Sequence, residues 1–150
     1  MTSNSNPFRT SRVFAQSPSE VFAALAAPER LARWWGPDGF TNTFMQFDFV
    51  PGGMWRFSMH GPAAADGTAG QSFPNECRFE RIEPNRLVEL RHACEPFFNL
   101  RIELAAVPQG CLVSWEQLFD DDAFAAAVQH IVEPANEQNL TRWQAELARN

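Results

Sequence analysis

The chain of 150 residues contains no lysine and no tyrosine. All twelve of its basic residues are therefore arginines, and they are scattered singly in a sequence of net charge −6. Nucleic acids and anionic membrane surfaces attract proteins through clustered basic residues. We therefore expect neither of them as a partner. The absence of lysine also excludes a phosphate-binding loop of the G-x-x-x-x-G-K type.

Long apolar runs are also missing from the sequence. The stretch from Val21 to Ala27 is among the longest, and a membrane span needs roughly 20 apolar residues. Residues 1–7 are polar and have neither the basic start nor the apolar centre of a signal peptide. We interpret them as a disordered leader, and we expect a cytoplasmic protein with no membrane span.

Cysteine and histidine are too few and too widely spaced for a metal centre. Cys77, Cys94 and Cys111 form no C-x-x-C pair, which predicts reduced, packed thiols rather than a disulfide framework or a zinc site. Histidines 60, 92 and 130 occur at no ligand spacing. We therefore predict no metal and no other cofactor.

The residues that are present predict one α+β domain over residues 1–150, with the element order β-α-α-β6-α. A capping box, in which Ser17 and Glu20 flank Pro18, predicts a helix after the first strand, and Pro28 begins a second short helix ending near Trp35. The predicted strands outside the central hairpin are Phe8–Gln16, Asn75–Ile82, Leu87–His92, Phe97–Ala105 and Leu112–Phe119.

Two aromatic strands around Pro51-Gly52-Gly53 predict a β-hairpin. Strict alternation places Met45, Phe47 and Phe49 on one face of the first strand. The C-terminal region predicts a helix over Ala123–Val132, an interruption at Pro134, and a second helix from there to about Arg149. The inward stripe of that last helix comprises Asn136, Leu140, Trp143 and Leu147.

The sequence resembles the START-like superfamily, also called the SRPBCC or Bet v 1-like fold, in its bacterial branch related to the C-terminal domain of the Hsp90 ATPase activator. The resemblance runs from about Phe8 to Ala148 and implies a helix-grip fold, in which a curved antiparallel sheet of about six to seven strands wraps around a long C-terminal helix. The motifs that carry it are Trp34-Trp35-Gly36-Pro37, Phe47-Asp48-Phe49, Trp55-Arg56-Phe57, Met59-His60-Gly61-Pro62, Pro74-Asn75-Glu76, Pro84-Asn85-Arg86-Leu87-Val88, Trp115-Glu116-Gln117 and Ala135-Asn136-Glu137-Gln138-Asn139-Leu140.

That fold implies a pocket between the sheet and the C-terminal helix, although a filled core is the simpler interpretation of the aromatic content alone. Apolar cavities with a few convergent polar groups are the usual binding sites for small molecules. The predicted ligand-binding residues are Phe47, Trp55, Phe57, Met59, Asn75, Phe79, His92, Phe98, Trp115, Gln117, Asn136, Leu140 and Trp143. We expect a small apolar or aromatic ligand, lipid- or polyketide-like, and a homodimer is possible.

Two other functions stay open at this point. A cyclase, dehydratase or hydrolase could use His60 or His92 as an acid–base group, with Glu76 and Asp66 as neighbours of His60. A cochaperone-like module acting on Hsp90 is the third hypothesis, for which we expect no ATPase stimulation. No catalytic motif such as G-x-S-x-G occurs, so a binding protein is favoured over an enzyme.

Overall fold

The computed structural model describes residues 6–149, so most of the predicted leader lies outside the described residues. Seven strands and three helices follow in the predicted order. The strands are β1 (Phe8–Phe14), β2 (Thr41–Phe47), β3 (Met54–His60), β4 (Ser72–Glu83), β5 (Leu87–His92), β6 (Phe98–Val107) and β7 (Gly110–Phe119). The helices are α1 (Pro18–Ala26), α2 (Pro28–Trp34) and α3 (Asp122–Ala148).

The strands form one curved antiparallel sheet with the order β1-β7-β6-β5-β4-β3-β2. Each strand pairs with its neighbour along the chain except β1, which crosses to pair with β7. Helix α3 packs against β1, β7, α1 and α2. The predicted α+β helix-grip fold is therefore confirmed.

The first helix begins as the sequence predicts. The Ser17 hydroxyl accepts a hydrogen bond from the Glu20 backbone N–H, and the Glu20 carboxylate accepts one from the Ser17 N–H. These two bonds satisfy donors that have no partner inside the helix. Pro18 occupies the first turn, where its missing N–H is not needed.

The predicted interruption at Pro134 is wrong, because α3 is one continuous helix that contains this proline. A proline inside a helix leaves the carbonyl four residues earlier, here that of His130, without its usual donor. Both His130 and Pro134 are exposed, so solvent can reach that carbonyl. The packing of the C-terminal part of the helix then offsets the remaining cost.

The predicted inward position of Met45 is also wrong. Phe44 pairs with Phe57 and Gln46 pairs with Arg56, so a β-bulge places Met45 as an extra residue between them. The extra residue shifts the alternation by one position. Consequently Met45 is 58% exposed, and Phe44 takes the inward place beside Phe57 and Trp55.

The convex face of the sheet carries a row of alternating charges that crosses five strands. The paired positions along this row are Arg9, Glu116, Arg101, Glu89 and Arg81. Ion pairs join Arg9 to Glu116 at 2.5 Å and Arg101 to Glu89 at 2.7 Å. Such cross-strand pairs favour the observed register and keep this face solvated.

Two polar clusters fasten α3 to helix α2 and to the segment that joins α2 to β2. In the first, Arg142 donates hydrogen bonds to five backbone carbonyls, while Asn139 bonds to the Gly36 N–H and the Trp34 carbonyl. The carbonyls that accept from Arg142 belong to Arg33, Trp35, Gly36, Pro37 and Phe40. The two motifs around Trp34-Trp35-Gly36-Pro37 and Asn136–Leu140 therefore meet in space.

The second cluster surrounds the buried carboxylate of Glu146 on α3. Arg30 and Arg33 of α2 donate to it, at 3.1 Å and 2.7 Å respectively, and Arg149 donates at 3.2 Å. The Glu146 side chain is only 3% exposed. Three guanidinium groups thus compensate one carboxylate that is otherwise removed from water.

Candidate functional site

The predicted pocket residues of the sheet share its concave face. Residues paired across antiparallel strands present their side chains on the same side. One paired row runs through Phe119, Phe98, His92, Cys77, Trp55 and Phe47, and the adjacent row runs through Gln117, Leu100, Leu90 and Phe79. Asn75 pairs with Phe57 on the same face. The register therefore brings these residues onto one surface.

Many of the predicted pocket residues lie deep in the core, where they contact one another. Trp55 stacks on Phe57 with 4.2 Å between ring centroids, and Trp143 stacks on Trp34 at 4.4 Å. The residues of this group, each at most 3% exposed, are Trp55, Phe57, Phe79, Trp115, Leu140 and Trp143. They form the closed inner wall of the site and anchor Trp34 and Trp35 in the core.

A second group lies nearer the surface, in a row of aromatic rings that leads to α3. Phe98 packs edge-on against Phe119 at 5.3 Å, and Phe119 contacts both Phe8 at 5.9 Å and Phe124 of α3 at 5.6 Å. Phe98 is half-buried and Phe124 is 38% exposed. A ligand could reach these rings without opening the core.

Two hydrogen-bonded pairs stand beside this aromatic row. The Asn136 amide of α3 donates to the Gln117 carbonyl oxygen at 3.1 Å. His92 stacks on Phe98 at 4.5 Å, and its Nε2 lies 2.7 Å from the Asn75 carbonyl oxygen. The four polar residues that the sequence predicts therefore form two separate pairs rather than one cluster.

The first part of α3, Asp122–Gln138, contains no buried residue. The four buried residues of this helix, Asn139, Leu140, Trp143 and Glu146, all lie beyond it. Nevertheless the first part carries the apolar side chains of Phe124, Val128, Ile131 and Val132, and Ile131 is 59% exposed. Its apolar surface is therefore only lightly covered by the sheet.

Two adjoining clefts lie between the first part of α3 and strand β1. One has a volume of about 380 Å³ and is bordered by Phe8, Phe119 and Ala126. The other has a volume of about 310 Å³ and includes Asn136. Both touch Phe8 and Glu133, so they form one channel along the helix. We call this channel, together with the aromatic row Phe98, Phe119 and Phe8, the α3 groove.

His60 has different neighbours from those the sequence predicts. Its two ring nitrogens lie 2.8 Å from the hydroxyls of Thr43 and Ser72. Glu76 instead pairs with Arg56 at 3.7 Å, and the Asp66 carboxylate accepts a hydrogen bond from the Thr68 backbone N–H. The predicted carboxylate partners of His60 are therefore wrong, since both carboxylates interact with other groups. Met59, which precedes His60 and is one of the predicted pocket residues, is half-buried.

Phe8 lines the α3 groove and Phe124 borders it through its ring contact with Phe119, but both are absent from the predicted set. The spacing of Phe124, Val128 and Val132 is i, i+4 and i+8, so these residues share one helix face. That spacing was visible in the sequence and could have identified Phe124. Phe8 had no comparable signal, because its place depends on the long-range pairing of β1 with β7.

Residues 6–149 contain neither a metal-binding cluster nor a membrane-spanning helix. Within that range no group of three or more His, Cys, Asp or Glu residues is arranged to hold a metal ion. No helix described by the structure has the length and apolar character needed to cross a membrane.

Comparison with known proteins agrees with this architecture. The structure of a protein from Chromobacterium violaceum superposes with a TM-score of 0.80 at 23% identity, over 97% of this chain and 99% of that one. The structure of a protein from Arthrobacter aurescens superposes with a TM-score of 0.82 at 21% identity, over 95% of this chain and 86% of that one. An AHSA1-like protein from Aeromonas hydrophila gives 0.72 at 21% identity, over 97% of each chain. At these identities the likeness establishes the fold alone.

Sequence comparison assigns the family. No curated protein matches the chain. A protein-family model described as "Activator of Hsp90 ATPase homolog 1-like protein" matches residues 15–149, which include every element except β1. The chain therefore belongs to the Activator of Hsp90 ATPase homolog 1-like family, a branch of the START-like (SRPBCC) superfamily.

Proposed function

We propose that this protein binds a small apolar or aromatic molecule in the α3 groove. The observation that carries the proposal is the first part of α3, which holds apolar side chains over the sheet without burying any of them. Burial of apolar surface contributes about 25 cal/mol per Å². A ligand lying in the channel against Phe8, Phe119 and the adjoining Phe124 ring would gain this contribution.

The polar pair at the inner end of the groove supports a ligand with one carbonyl or hydroxyl group. Gln117 and Asn136 share a single hydrogen bond, and each amide can make more than one. A carbonyl or hydroxyl group on the ligand could therefore use the remaining hydrogen-bonding capacity of these two amides.

The acid–base alternative is less well supported at His60. Its ring contacts two hydroxyl groups at the surface, and no described carboxylate hydrogen-bonds to it. Without a carboxylate partner, this imidazole has no second group that would act with it in acid–base catalysis. We therefore assign His60 a structural role in joining β2, β3 and β4.

Phe124→Ala is the variant that tests the proposed site. We expect it to weaken the binding of naphthol or of a medium-chain fatty acid by about tenfold, because a large apolar contact is lost. Binding is measured by the quenching of tryptophan fluorescence during titration. Since Phe124 is already 38% exposed, the variant should fold normally.

Phe97→Ala is the matched control for this experiment. Phe97 is 40% exposed, and it lies under the guanidinium of Arg91 at 5.5 Å, outside the aromatic row. The same substitution there should leave the affinity unchanged within a factor of two or so. If both variants bind equally well, or if the wild-type protein binds neither compound, the α3 groove is not the site.

A further inference from the structure

His92 is held between two hydrogen-bond acceptors. Its Nδ1 lies 2.7 Å from the carbonyl oxygen of Pro96, and its Nε2 lies 2.7 Å from the Asn75 side-chain oxygen. The Asn75 amide nitrogen donates to the Phe73 carbonyl at 3.0 Å, which fixes the oxygen toward the histidine. A neutral imidazole carries only one N–H. Both contacts become hydrogen bonds only when the ring carries two protons.

A thiol that could supply the second proton lies beside the ring. The Sγ of Cys94 is 3.6 Å from the Nε2 of His92. Cys94 is partly exposed, in contrast to the buried Cys77 and Cys111. Transfer of the thiol proton to Nε2 would produce a thiolate next to an imidazolium, and the imidazolium would donate to both Pro96 and Asn75.

Cys94 is the group near His92 that can donate a proton to it, because the neighbouring charged groups are paired with others and the second nearby thiol is buried. Arg91, the neighbour in sequence, is bound by Asp120 at 2.6 Å, and Glu76 of the adjacent strand pairs with Arg56 at 3.7 Å. Cys77, which pairs with His92 across β4 and β5, is 1% exposed, and burial raises the pKa of its thiol. Burial also lowers the pKa of His92, against the opposing effect of the Pro96 carbonyl. Burial therefore favours the neutral ring, which is the form that can accept a proton.

We propose that Cys94 is a nucleophilic thiol, activated by His92 as a general base, that exchanges with small disulfides. In this reaction His92 takes the thiol proton, and the electron pair left on Sγ attacks one sulfur of the disulfide. The Sγ–S bond forms as the S–S bond of the disulfide breaks, and the leaving thiolate receives the proton from His92. The products are a mixed disulfide on Cys94 and one free thiol, with no other oxidant or reductant needed.

The partial exposure of Cys94 and the shielding of the other two thiols make the site selective. Thiolate character and access together determine the rate of exchange. Cys111 is fully buried and its thiol pKa is raised by burial. Cys94 should therefore be the first residue to react. This proposal is independent of ligand binding, because Cys94 and His92 do not line the α3 groove. The one link between the two sites is the Phe98 ring, on which His92 stacks.

The test uses the whole protein and glutathione disulfide, and peptide mass mapping follows each cysteine over time. We expect Cys94 at neutral pH to react about tenfold faster than the same cysteine in the urea-unfolded chain, because the folded site supplies the base. Cys94→Ser should abolish the fast phase, whereas Cys111→Ser should leave it unchanged. These two variants also identify the reacting thiol directly.

His92→Gln tests the role of the base. Its amide can still donate to the Pro96 carbonyl, but it cannot accept a proton at neutral pH. We expect the Cys94 rate to fall about tenfold at pH 7 and the gap to narrow as the pH is raised, because hydroxide in solution then replaces the missing base. A His92→Gln rate equal to wild type at pH 7, or a wild-type rate no faster than that of the unfolded chain, would overturn the proposal. The second comparison needs no variant and decides the matter if His92→Gln fails to fold.

Discussion

Replacing Arg142 by lysine should lower the free energy of unfolding by about 3 kcal/mol, because an ammonium cannot span the carbonyls that the guanidinium now reaches. Arg142 donates at 2.8–3.1 Å to five of them, from Arg33 through Phe40. Lysine has three donors on one atom, so at least two carbonyls in a half-buried segment would lose their partner. The charge is retained in this variant, so the loss reports the geometry of the hydrogen bonds.

Urea unfolding followed by tryptophan fluorescence measures this difference. Arg9→Lys is the control, since Arg9 makes one ion pair and its side chain is 70% exposed. Exposed pairs contribute about 0–1 kcal/mol, so the control should unfold within that range of wild type. A loss for Arg142→Lys no larger than that of the control would show that the carbonyl contacts do not stabilise the fold.

Glu146→Gln should destabilise the protein by about 3 kcal/mol at pH 7, because it removes the charge from a buried group that accepts hydrogen bonds from three partly exposed guanidinium groups. Hydrogen bonds from Arg33, and then from Arg30 and Arg149, lower the pKa of the Glu146 carboxyl to about 2. The amide of glutamine can accept from only part of this set. The carboxylate joins α2 to α3, so the loss of stability should appear in global unfolding.

The stability difference between wild type and Glu146→Gln should depend on pH, because folding lowers the pKa of the Glu146 carboxyl. A carboxyl whose pKa is lowered by folding stabilises the native state above its unfolded pKa, near 4.3, and that contribution disappears as the pH falls through about 2. The difference between wild type and Glu146→Gln should therefore be full at pH 6 and shrink between about pH 5 and pH 2. Glu103→Gln, at a carboxylate that is 51% exposed, should show little difference at any pH. A constant difference across this range would contradict the proposed ionic origin.

Local sequence signals predicted most of the fold. Alternating aromatics predicted the β2–β3 hairpin, and Ser17 with Glu20 predicted the start of α1. The errors arose where distant packing overrides a local rule. Pro134 stays helical because the later turns of α3 are anchored on α2, and Met45 turns outward because a bulge shifts the register of β2. The role of Arg142 could not be predicted, since its partners are backbone atoms about a hundred residues away.

The candidate site was predicted in part. Strand parity correctly placed His92, Asn75 and Gln117 on the concave face, because parity depends only on alternation, and Asn136 contacts Gln117 there. It could not distinguish Trp55, which is sealed in the core, from Phe98, which borders the groove. That distinction depends on where α3 leaves the sheet. The contact between Cys94 and His92 likewise depends on the turn at Pro96 and not on sequence spacing.

Amide chemical-shift mapping during titration with naphthol tests the central claim most directly. If the ligand lies in the α3 groove, the largest shifts should occur at Gln117, Phe119, Phe124 and Asn136, with little change around Arg142 and Glu146. These shifts should saturate together with the quenching of tryptophan fluorescence. Shifts confined to the convex face or to the Arg142 cluster, or no saturable shifts with naphthol, would contradict the account.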